Sequence, residues 1–363
     1  MKIATLSNAS VGHTRRWVEH FRARGHEVRV WSLEPGPAEL GARALPSPPL
    51  PGALRYPLAA PALRAALAEF GPDVVDAHYV PNYGLLGVLA GRRPLSVSAW
   101  GSDLLLAGEG GALRRARVRY VLSRADLVIA DSGNLAAAAL ALGGAPGKVH
   151  AIPWGVSRKL FRPVAAREPG LLLSTRQHEP IYDLPTLIEG AARVMERRPG
   201  TRLEIAGRGS QSAELERLAG RRLPAGRWRF IGMLGPAAMA DALSRASIFL
   251  SCSRSDSTSV SLLEAMASGA VPVITDLEGN REWVADGDGA RLFAPGDAAA
   301  LERALERALA DDAWCDAARA RNAAVIAERG DQDVQMAKIE TLFERVAAEH
   351  RPGLEHAPAG DAR

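Results

Sequence analysis

Two carboxylates eight positions apart, Asp256 and Glu264, stand in the most informative segment of the chain. Asp256 lies in a hydroxyl-rich loop at residues 253–259, and Glu264 follows among apolar residues with helical spacing. A carboxylate in apolar surroundings needs a hydrogen-bonding partner, because burying an unpaired charge is costly. The start of a helix also favours anions, since its backbone N–H groups and its dipole point there. We therefore predict a phosphate-binding loop beside a carboxylate that bonds either to protein or to ligand.

The elements around this loop predict a parallel βαβ unit. Residues 248–250 form a short apolar run that is typical of a buried strand. Gly269 is a helix stop, and the apolar run at 271–274 indicates the next strand. The loop is therefore expected at the carboxyl edge of a parallel sheet, which is where ligands bind in doubly wound folds.

The segment 246–275 resembles the donor-binding signature of retaining family 4 glycosyltransferases, which have the GT-B fold. The resemblance implies that Glu264 binds the ribose hydroxyls of a nucleotide sugar and that Asp256 lies beside the sugar ring. The family's usual residue at that position is glutamate, so the aspartate reaches less far. Pairing of Glu264 with a neighbouring arginine is the alternative to ribose binding. Backbone donors at Thr258, Ser259 and Val260 are expected to hold the donor phosphates.

Arg176 follows a predicted strand at residues 171–175. The resemblance implies that it clamps the donor diphosphate together with a lysine several residues later. Residues 177–183 contain no lysine, and His178 or Arg208 is the expected substitute.

Three further residues of the second half, together with Gly12 in the first, belong to the predicted donor site. Gly207 occupies the turn after another strand, while Met233 and Leu234 follow a strand at which the family holds the nucleobase through the backbone. Ordinary core packing is the alternative for the two apolar residues.

The N-terminal half supplies the remaining candidates. Gly12 lies in the loop after the first strand, which in the resembled family faces the acceptor and the donor phosphates. His78 matches a histidine of the family's cleft, with a histidine bonded to nearby backbone as the alternative. Asp103 is expected to orient an acceptor hydroxyl or the donor sugar, or else to cap the next helix. The four catalytic candidates of the whole chain are thus Arg176, Asp256, His78 and Asp103.

The length of 363 residues and the alternation of strands and helices predict an α/β protein with two domains. The resemblance implies two Rossmann-like doubly wound domains that face a central cleft. We expect an acceptor domain at residues 1–160 and a donor domain at 161–330, with a C-terminal helix at 331–348 that returns to the first domain. Residues 35–61 are expected to form a loop and residues 350–363 a disordered tail.

The net charge is +4, and most of the basic residues are arginine. Arg114, Arg115, Arg117 and Arg119 cluster on a predicted helix at about 112–123, which either contacts an anionic membrane surface or is a solvated face. Nucleic acid binding is not expected, because no recognition module accompanies the arginines. No run approaches the ~20 apolar residues that span a bilayer. The chain also starts without a leader pattern, so we expect a cytoplasmic protein, with peripheral contact at the inner membrane face as an option.

The resemblance implies a retaining transferase that moves a sugar from a nucleotide-diphosphate sugar to a hydroxyl group. We expect a UDP-sugar donor first and a GDP-sugar second, with no cofactor and no metal. The expected acceptors are cell-envelope polysaccharides, lipid-linked glycans or glycoconjugates. The alternatives are a nucleotide-sugar-binding or scaffold protein without turnover, and a GT-B sugar epimerase.

Overall fold

The computed structural model describes residues 1–46, 48, 50, 54–108 and 111–350. The chain forms two compact units, each around a seven-stranded sheet. Unit 1 comprises Met1–Ala130, Ala136–Ile152 and the chain from Ala337, whereas unit 2 comprises Asp131–Leu135 and Pro153–Met336. The predicted α/β fold with two doubly wound sheets is confirmed. Apart from His350, the predicted tail at 350–363 lies outside the described residues.

All strands of unit 1 pair in parallel. The strands are β1 (Lys2–Leu6), β2 (Glu27–Ser32), β3 (Arg43–Ala44), β4 (Val74–His78), β5 (Leu95–Ser98), β6 (Leu127–Ala130) and β7 (Val149–Ala151). Their order is β3-β2-β1-β4-β5-β6-β7, so the strand order reverses between β1 and β4. The central strands β1, β4 and β5 are buried along almost their whole length, because helices cover both faces of such a sheet.

The helices of unit 1 connect these strands. They are α1 (Gly12–Ala23), α2 (Arg55–Phe70), α3 (Leu85–Ala90), α4 (Ser102–Leu105), α5 (Gly111–Arg124) and α6 (Gly133–Ala141), whose first residues are assigned to unit 2. A π-helical stretch, Tyr79–Gly84, follows β4 directly.

The loop predicted at residues 35–61 is wrong in its last part, because α2 begins at Arg55. Pro57 lies in the first turn of α2, where backbone N–H groups have no partner within the helix, so proline causes no loss. Pro61 is accommodated inside the helix. Residues 47, 49 and 51–53 of the same predicted loop lie outside the described residues.

The sheet of unit 2 is likewise parallel. Its strands are β8 (Leu171–Ser174), β9 (Arg202–Ala206), β10 (Trp228–Gly232), β11 (Ile248–Ser251), β12 (Val271–Thr275), β13 (Ala285–Asp286) and β14 (Gly289–Phe293), in the order β10-β9-β8-β11-β12-β14-β13. The helices are α7 (Leu184–Arg197), α8 (Ser212–Arg222), α9 (Pro236–Arg245), α10 (Val260–Ser268), α11 (Glu278–Arg281), α12 (Ala298–Leu309), α13 (Asp312–Val325) and α14 (Gln332–Glu349).

Strand pairing in unit 2 brings two predicted site loops to the same edge of the sheet. Strands β8 and β11 are neighbours, and Ile248 pairs with Leu172. Because both strands run in the same direction, the segment with Arg176 after β8 and the loop at 253–259 after β11 leave the sheet side by side. Apolar side chains pack on the two faces of this sheet and hold the strands whose carboxyl ends form that edge.

The part of α14 from Ala337 belongs to unit 1 and packs against α1. The ring of Phe343 stacks on Phe21 at a centroid distance of 5.5 Å, and the ring of Trp17 lies 6.4 Å away. All three side chains are buried. In the described part of the chain, every helix is too short or too polar to span a bilayer.

We expect Phe343→Ala to lower the stability of unit 1 by about 3–5 kcal/mol, because truncation of a buried phenylalanine leaves a cavity against two aromatic rings. Thermal denaturation followed by circular dichroism measures the change. The control is Glu344→Ala, whose side chain is exposed on the same helix. Equal melting temperatures for the two variants would show that this contact does not stabilise the unit.

Candidate functional site

Arg176 and Asp256 form a direct ion pair in unit 2. The Nη2 group of Arg176 donates to the two carboxylate oxygens of Asp256 at 2.9 and 2.8 Å. Its Nη1 group donates to the hydroxyls of Ser259 and Ser261, each at 2.7 Å. The ring centroid of Tyr182 lies 4.2 Å from Cζ of the guanidinium. Because both terminal nitrogens are hydrogen-bonded, Nη2 to the carboxylate and Nη1 to the hydroxyls, these contacts fix the plane of the guanidinium as well as its position.

The pair lies at the N-terminus of α10. Ser259 is the N-cap residue, and its hydroxyl accepts a hydrogen bond from the backbone N–H of Leu262. Val260 is the first residue of the helix, and Glu264 lies one turn further along with a residue exposure of 8%. The guanidinium and the positive end of the helix dipole therefore act at the same place, which suits a ligand with negative charge.

Residues that follow β6 hold the loop in front of α10. The carboxylate of Asp131 accepts from the hydroxyl of Ser257 at 3.0 Å and from the backbone N–H of Thr258 at 3.4 Å. The side-chain amide of Asn134 donates to the backbone carbonyl of Asp256 at 3.3 Å. The local sequence does not reveal these two anchors, although Asp131 directly follows the apolar residues of β6.

Gly207 allows the backbone of β9 to approach Arg176. Its φ of 112° is a conformation that L side chains rarely adopt, and an added Cβ would lie 2.6 Å from the carbonyl oxygen of Arg176. Met233 and Leu234 follow β10, two strands away from β8. The side chain of Met233 is 63% exposed, whereas Leu234 packs against the core.

His178 does not replace the missing lysine with a positive charge. It is buried, and its Nδ1 lies 2.9 Å from the hydroxyl of Ser212. Burial lowers the pKa of His178 below the usual histidine value, so the ring is neutral at pH 7. Arg208 is exposed and stays the cationic candidate.

The structure places His78 and Asp103 in the interior of unit 1. Nε2 of His78 lies 2.8 Å from Oδ2 of Asp76, and Trp100 stands edge-on to its ring at 5.7 Å. The carboxylate of Asp103 accepts from the backbone N–H groups of Val80 and Trp100, each at 3.0 Å. Burial raises the pKa of Asp103. These bonds join the segments that follow β4 and β5, so the geometry favours a positioning role for Asp103.

Gly12 is the first residue of α1 and is exposed. An added Cβ would meet no atom within 4 Å. A larger residue would therefore fit at this position without a steric clash. The structure thus gathers Arg176, Asp256, Ser259 and Gly207 in unit 2, and it places Gly12, His78 and Asp103 in unit 1.

We expect Gly207→Ala to destabilise unit 2 by about 1–3 kcal/mol, because the new Cβ meets both an unfavourable φ and the carbonyl of Arg176. Gly200→Ala is the matched control, since a Cβ at that position meets nothing within 4 Å. Thermal denaturation of the two variants beside the wild type measures the difference. A Gly207→Ala protein as stable as the control would contradict the proposed close approach.

Two family models match this chain, one in each half. The family described as "Glycosyl transferases group 1" matches residues 168–311, and "Glycosyl transferase 4-like domain" matches residues 10–155. The phosphatidyl-myo-inositol mannosyltransferase of Mycolicibacterium smegmatis is 32% identical over 178 residues, which cover 49% of this chain and only 45% of that protein. Its namesake from Mycobacterium tuberculosis is 29% identical over 362 residues, with 92% of both chains covered.

Solved structures show the same architecture. HepE of Anabaena, crystallised with UDP and glucose, superposes with a TM-score of 0.82 at 18% identity and covers 95% of this chain and 99% of its own. At that identity the likeness establishes the fold alone. The two family matches show that the chain belongs to the family 4, group 1 glycosyltransferases, and the superposition agrees with their GT-B fold.

Proposed function

We propose that this protein transfers a sugar from a nucleotide-diphosphate sugar to a hydroxyl acceptor, with retention of anomeric configuration and without a metal ion. The observation that carries the proposal is the buried guanidinium of Arg176 at the N-terminus of α10. When the bond between the anomeric carbon and the phosphate oxygen breaks, negative charge grows on the leaving diphosphate. A fixed guanidinium and a helix N-terminus stabilise that charge where other enzymes use a divalent cation.

The proton of the acceptor hydroxyl also needs a destination. In the proposed step the acceptor oxygen bonds to the anomeric carbon on the face that the diphosphate leaves, and a phosphate oxygen of the leaving group takes the proton. The products are the glycoside and the protonated nucleoside diphosphate, so atoms and charge balance. In this mechanism no protein side chain has to act as the general base.

Asp256 has a second role in this proposal besides its predicted place near the sugar ring. Both of its carboxylate oxygens accept from Nη2 of Arg176, which helps to hold the guanidinium in place. A guanidinium that is already immobilised needs no reorganisation when charge develops in the reaction. Glu264, on the same helix, is proposed to bind the ribose hydroxyls. Ser259 and Val260 are proposed to donate from their backbone N–H groups to the phosphates. Thr258, predicted as a third donor, directs its N–H to Asp131 in the structure.

We propose a UDP-sugar as the first choice of donor and a GDP-sugar as the second. The Anabaena structure with UDP supports this order. The names of the mycobacterial relatives support a lipid-linked acceptor, and the cytoplasmic face of the membrane is the proposed location. The scaffold and epimerase alternatives find no support among the comparisons.

Contact with a membrane surface stays a prediction for α5. Arg115 and Arg119 are exposed on this helix, and so are Leu113 and Tyr120. A pair of cations beside apolar side chains suits the boundary between anionic headgroups and acyl chains.

We expect Glu264→Gln to raise the Kd for UDP about 10-fold to 100-fold, because hydrogen bonds from ribose hydroxyls to a charged carboxylate contribute roughly 1.5–3 kcal/mol. Isothermal titration calorimetry with UDP, GDP, ADP and TDP measures affinity and identifies the preferred base. Glu278→Gln, which changes an exposed glutamate on α11, is the control. Wild-type affinity in Glu264→Gln would remove the ribose assignment.

Removal of divalent cations tests the proposed chemistry. We expect turnover of the preferred nucleotide sugar to be unchanged in EDTA, since the guanidinium and the helix N-terminus supply the positive charge. NMR of the product should show the anomeric configuration of the donor. Activity that disappears in EDTA and returns with Mg²⁺ would contradict the metal-independent mechanism, and an inverted product would contradict retention.

A further inference from the structure

Unit 1 contains a cavity of about 290 Å³ that is open to solvent, and none of the donor-site residues lines it. Its walls include three arginines, two tyrosines and an asparagine, namely Arg55, Arg114, Arg117, Tyr56, Tyr79 and Asn82. They come from the start of α2, from the π-helical stretch and from α5. The π-helical stretch follows the carboxyl end of β4, beside the point where the strand order reverses. That edge is the usual place for a ligand in a doubly wound sheet.

The cavity carries more positive than negative charge. Arg55 pairs with Glu34 at 2.5 Å. The Nη2 group of Arg114 donates to the carbonyl oxygen of Ser102 at 3.0 Å, which is a neutral acceptor. Within the described residues, Arg117 has no carboxylate partner, and the Nε–H groups of Arg55 and Arg117 are buried without an acceptor. Burial, together with the neighbouring charge of Arg114, lowers the pKa of Arg117. Such a cluster is stabilised when an anion enters it.

The backbone that lines the cavity is strained. Tyr79 has a φ of 71°, which is rare for a residue other than glycine. It opens the π-helical stretch, a conformation that is frequent at functional sites. The bond from the N–H of Val80 to Asp103 helps to hold this geometry. Strain of this kind costs about 1–3 kcal/mol and persists where the surroundings enforce it.

The chemistry of the lining selects the class of ligand. Guanidinium groups form forked hydrogen bonds with phosphate oxygens, and several of them around one cavity suit a group with several anionic oxygens. Burial and the nearby Glu34 raise the pKa of Tyr56 to about 12, so its hydroxyl keeps its proton at pH 7 and can donate. The volume is several times the ~30 Å³ that a water molecule occupies in the liquid, which leaves room for a phosphate and part of the group attached to it.

We propose that this cavity binds a phosphate group of the acceptor substrate, as a phosphorylated sugar or as the headgroup of a phospholipid. The proposal rests on the proposed function, because only a transferase has an acceptor. The arginines of α5 then form two sets with different roles. Arg114 and Arg117 line the cavity, whereas Arg115 and Arg119 are exposed on the helix.

The test compares Arg117→Gln with Arg115→Gln, which removes the same charge from the exposed part of the same helix. The soluble probes are a hexose 6-phosphate and the unphosphorylated hexose, titrated calorimetrically. The membrane probe is a phosphatidylcholine vesicle with and without phosphatidylinositol, measured by flotation. If the hexose phosphate is the ligand, we expect wild type and Arg115→Gln to bind it equally and Arg117→Gln to bind it at least about 10-fold more weakly. If the lipid headgroup is the ligand, Arg117→Gln should weaken flotation by a similar factor, and Arg115→Gln, which loses only a proposed surface contact with the membrane, should weaken it less.

The identity of the probe that binds distinguishes the two sources of phosphate. Arg117-dependent binding of the hexose phosphate supports a soluble acceptor, and Arg117-dependent flotation supports a lipid headgroup. Equal loss in Arg115→Gln and Arg117→Gln would overturn the proposal, since it would indicate general surface charge. Absence of binding to both phosphorylated probes in the wild type would also overturn it.

Two further measurements separate this proposal from others. The affinity for UDP should match the wild type in Arg117→Gln, because the cavity lies in unit 1 and the donor residues lie in unit 2. Thermal denaturation should show that Arg117→Gln is folded and at least as stable as the wild type, since the substitution removes a charge without a carboxylate partner among the described residues. If Arg117→Gln does not fold, Arg117→Lys takes its place, with weaker binding expected because lysine lacks the fork. A wild type that binds phosphate but no nucleotide would remove the proposed function and leave only an anion site.

Discussion

A guanidinium with 8% of its side-chain surface exposed must have its charge balanced, and unit 2 is arranged around that requirement at Arg176. A buried charge that loses its partner is strongly destabilising, so each partner constrains the others. Asp256 neutralises the group, while Ser259 and Ser261 use up its second amino group. Because Ser259 also caps α10, the position of Arg176 and the start of the helix are fixed together.

The local sequence was sufficient to predict this arrangement in part. The succession of strand, hydroxyl-rich loop, helix and strand predicted α10 and its N-terminus, and the parallel-sheet rule placed Arg176 and the loop at the same kind of edge. It did not predict that Asp256 and Arg176 bond to each other, because they are 80 positions apart. Their contact follows from the pairing of β8 with β11, which local periodicity does not encode.

Other features left no local signal at all. Richness in proline, alanine and glycine predicts a loop over residues that begin α2. The position of Pro57 within the first turn of the helix, which composition does not register, decides the outcome instead. The positive φ of Tyr79 is not marked by glycine or asparagine, which are the residues that usually reveal it. The anchoring of the loop by Asp131 likewise depends on tertiary placement.

Arg176 in unit 2 and the pair Arg114 and Arg117 in unit 1 differ in how the charge of a buried or half-buried guanidinium is balanced. Arg176 is neutralised within the protein, so the group is rigid before any ligand arrives and its net attraction for an anion is reduced. Within the described residues, Arg114 donates to neutral oxygen atoms and Arg117 has no carboxylate partner, so both keep their net charge at the expense of stability. A neutralised, immobile arginine suits a phosphate whose charge grows during the reaction, because preorganisation matters more there than initial affinity. An unbalanced pair suits a phosphate that must be captured and then released with its charge unchanged.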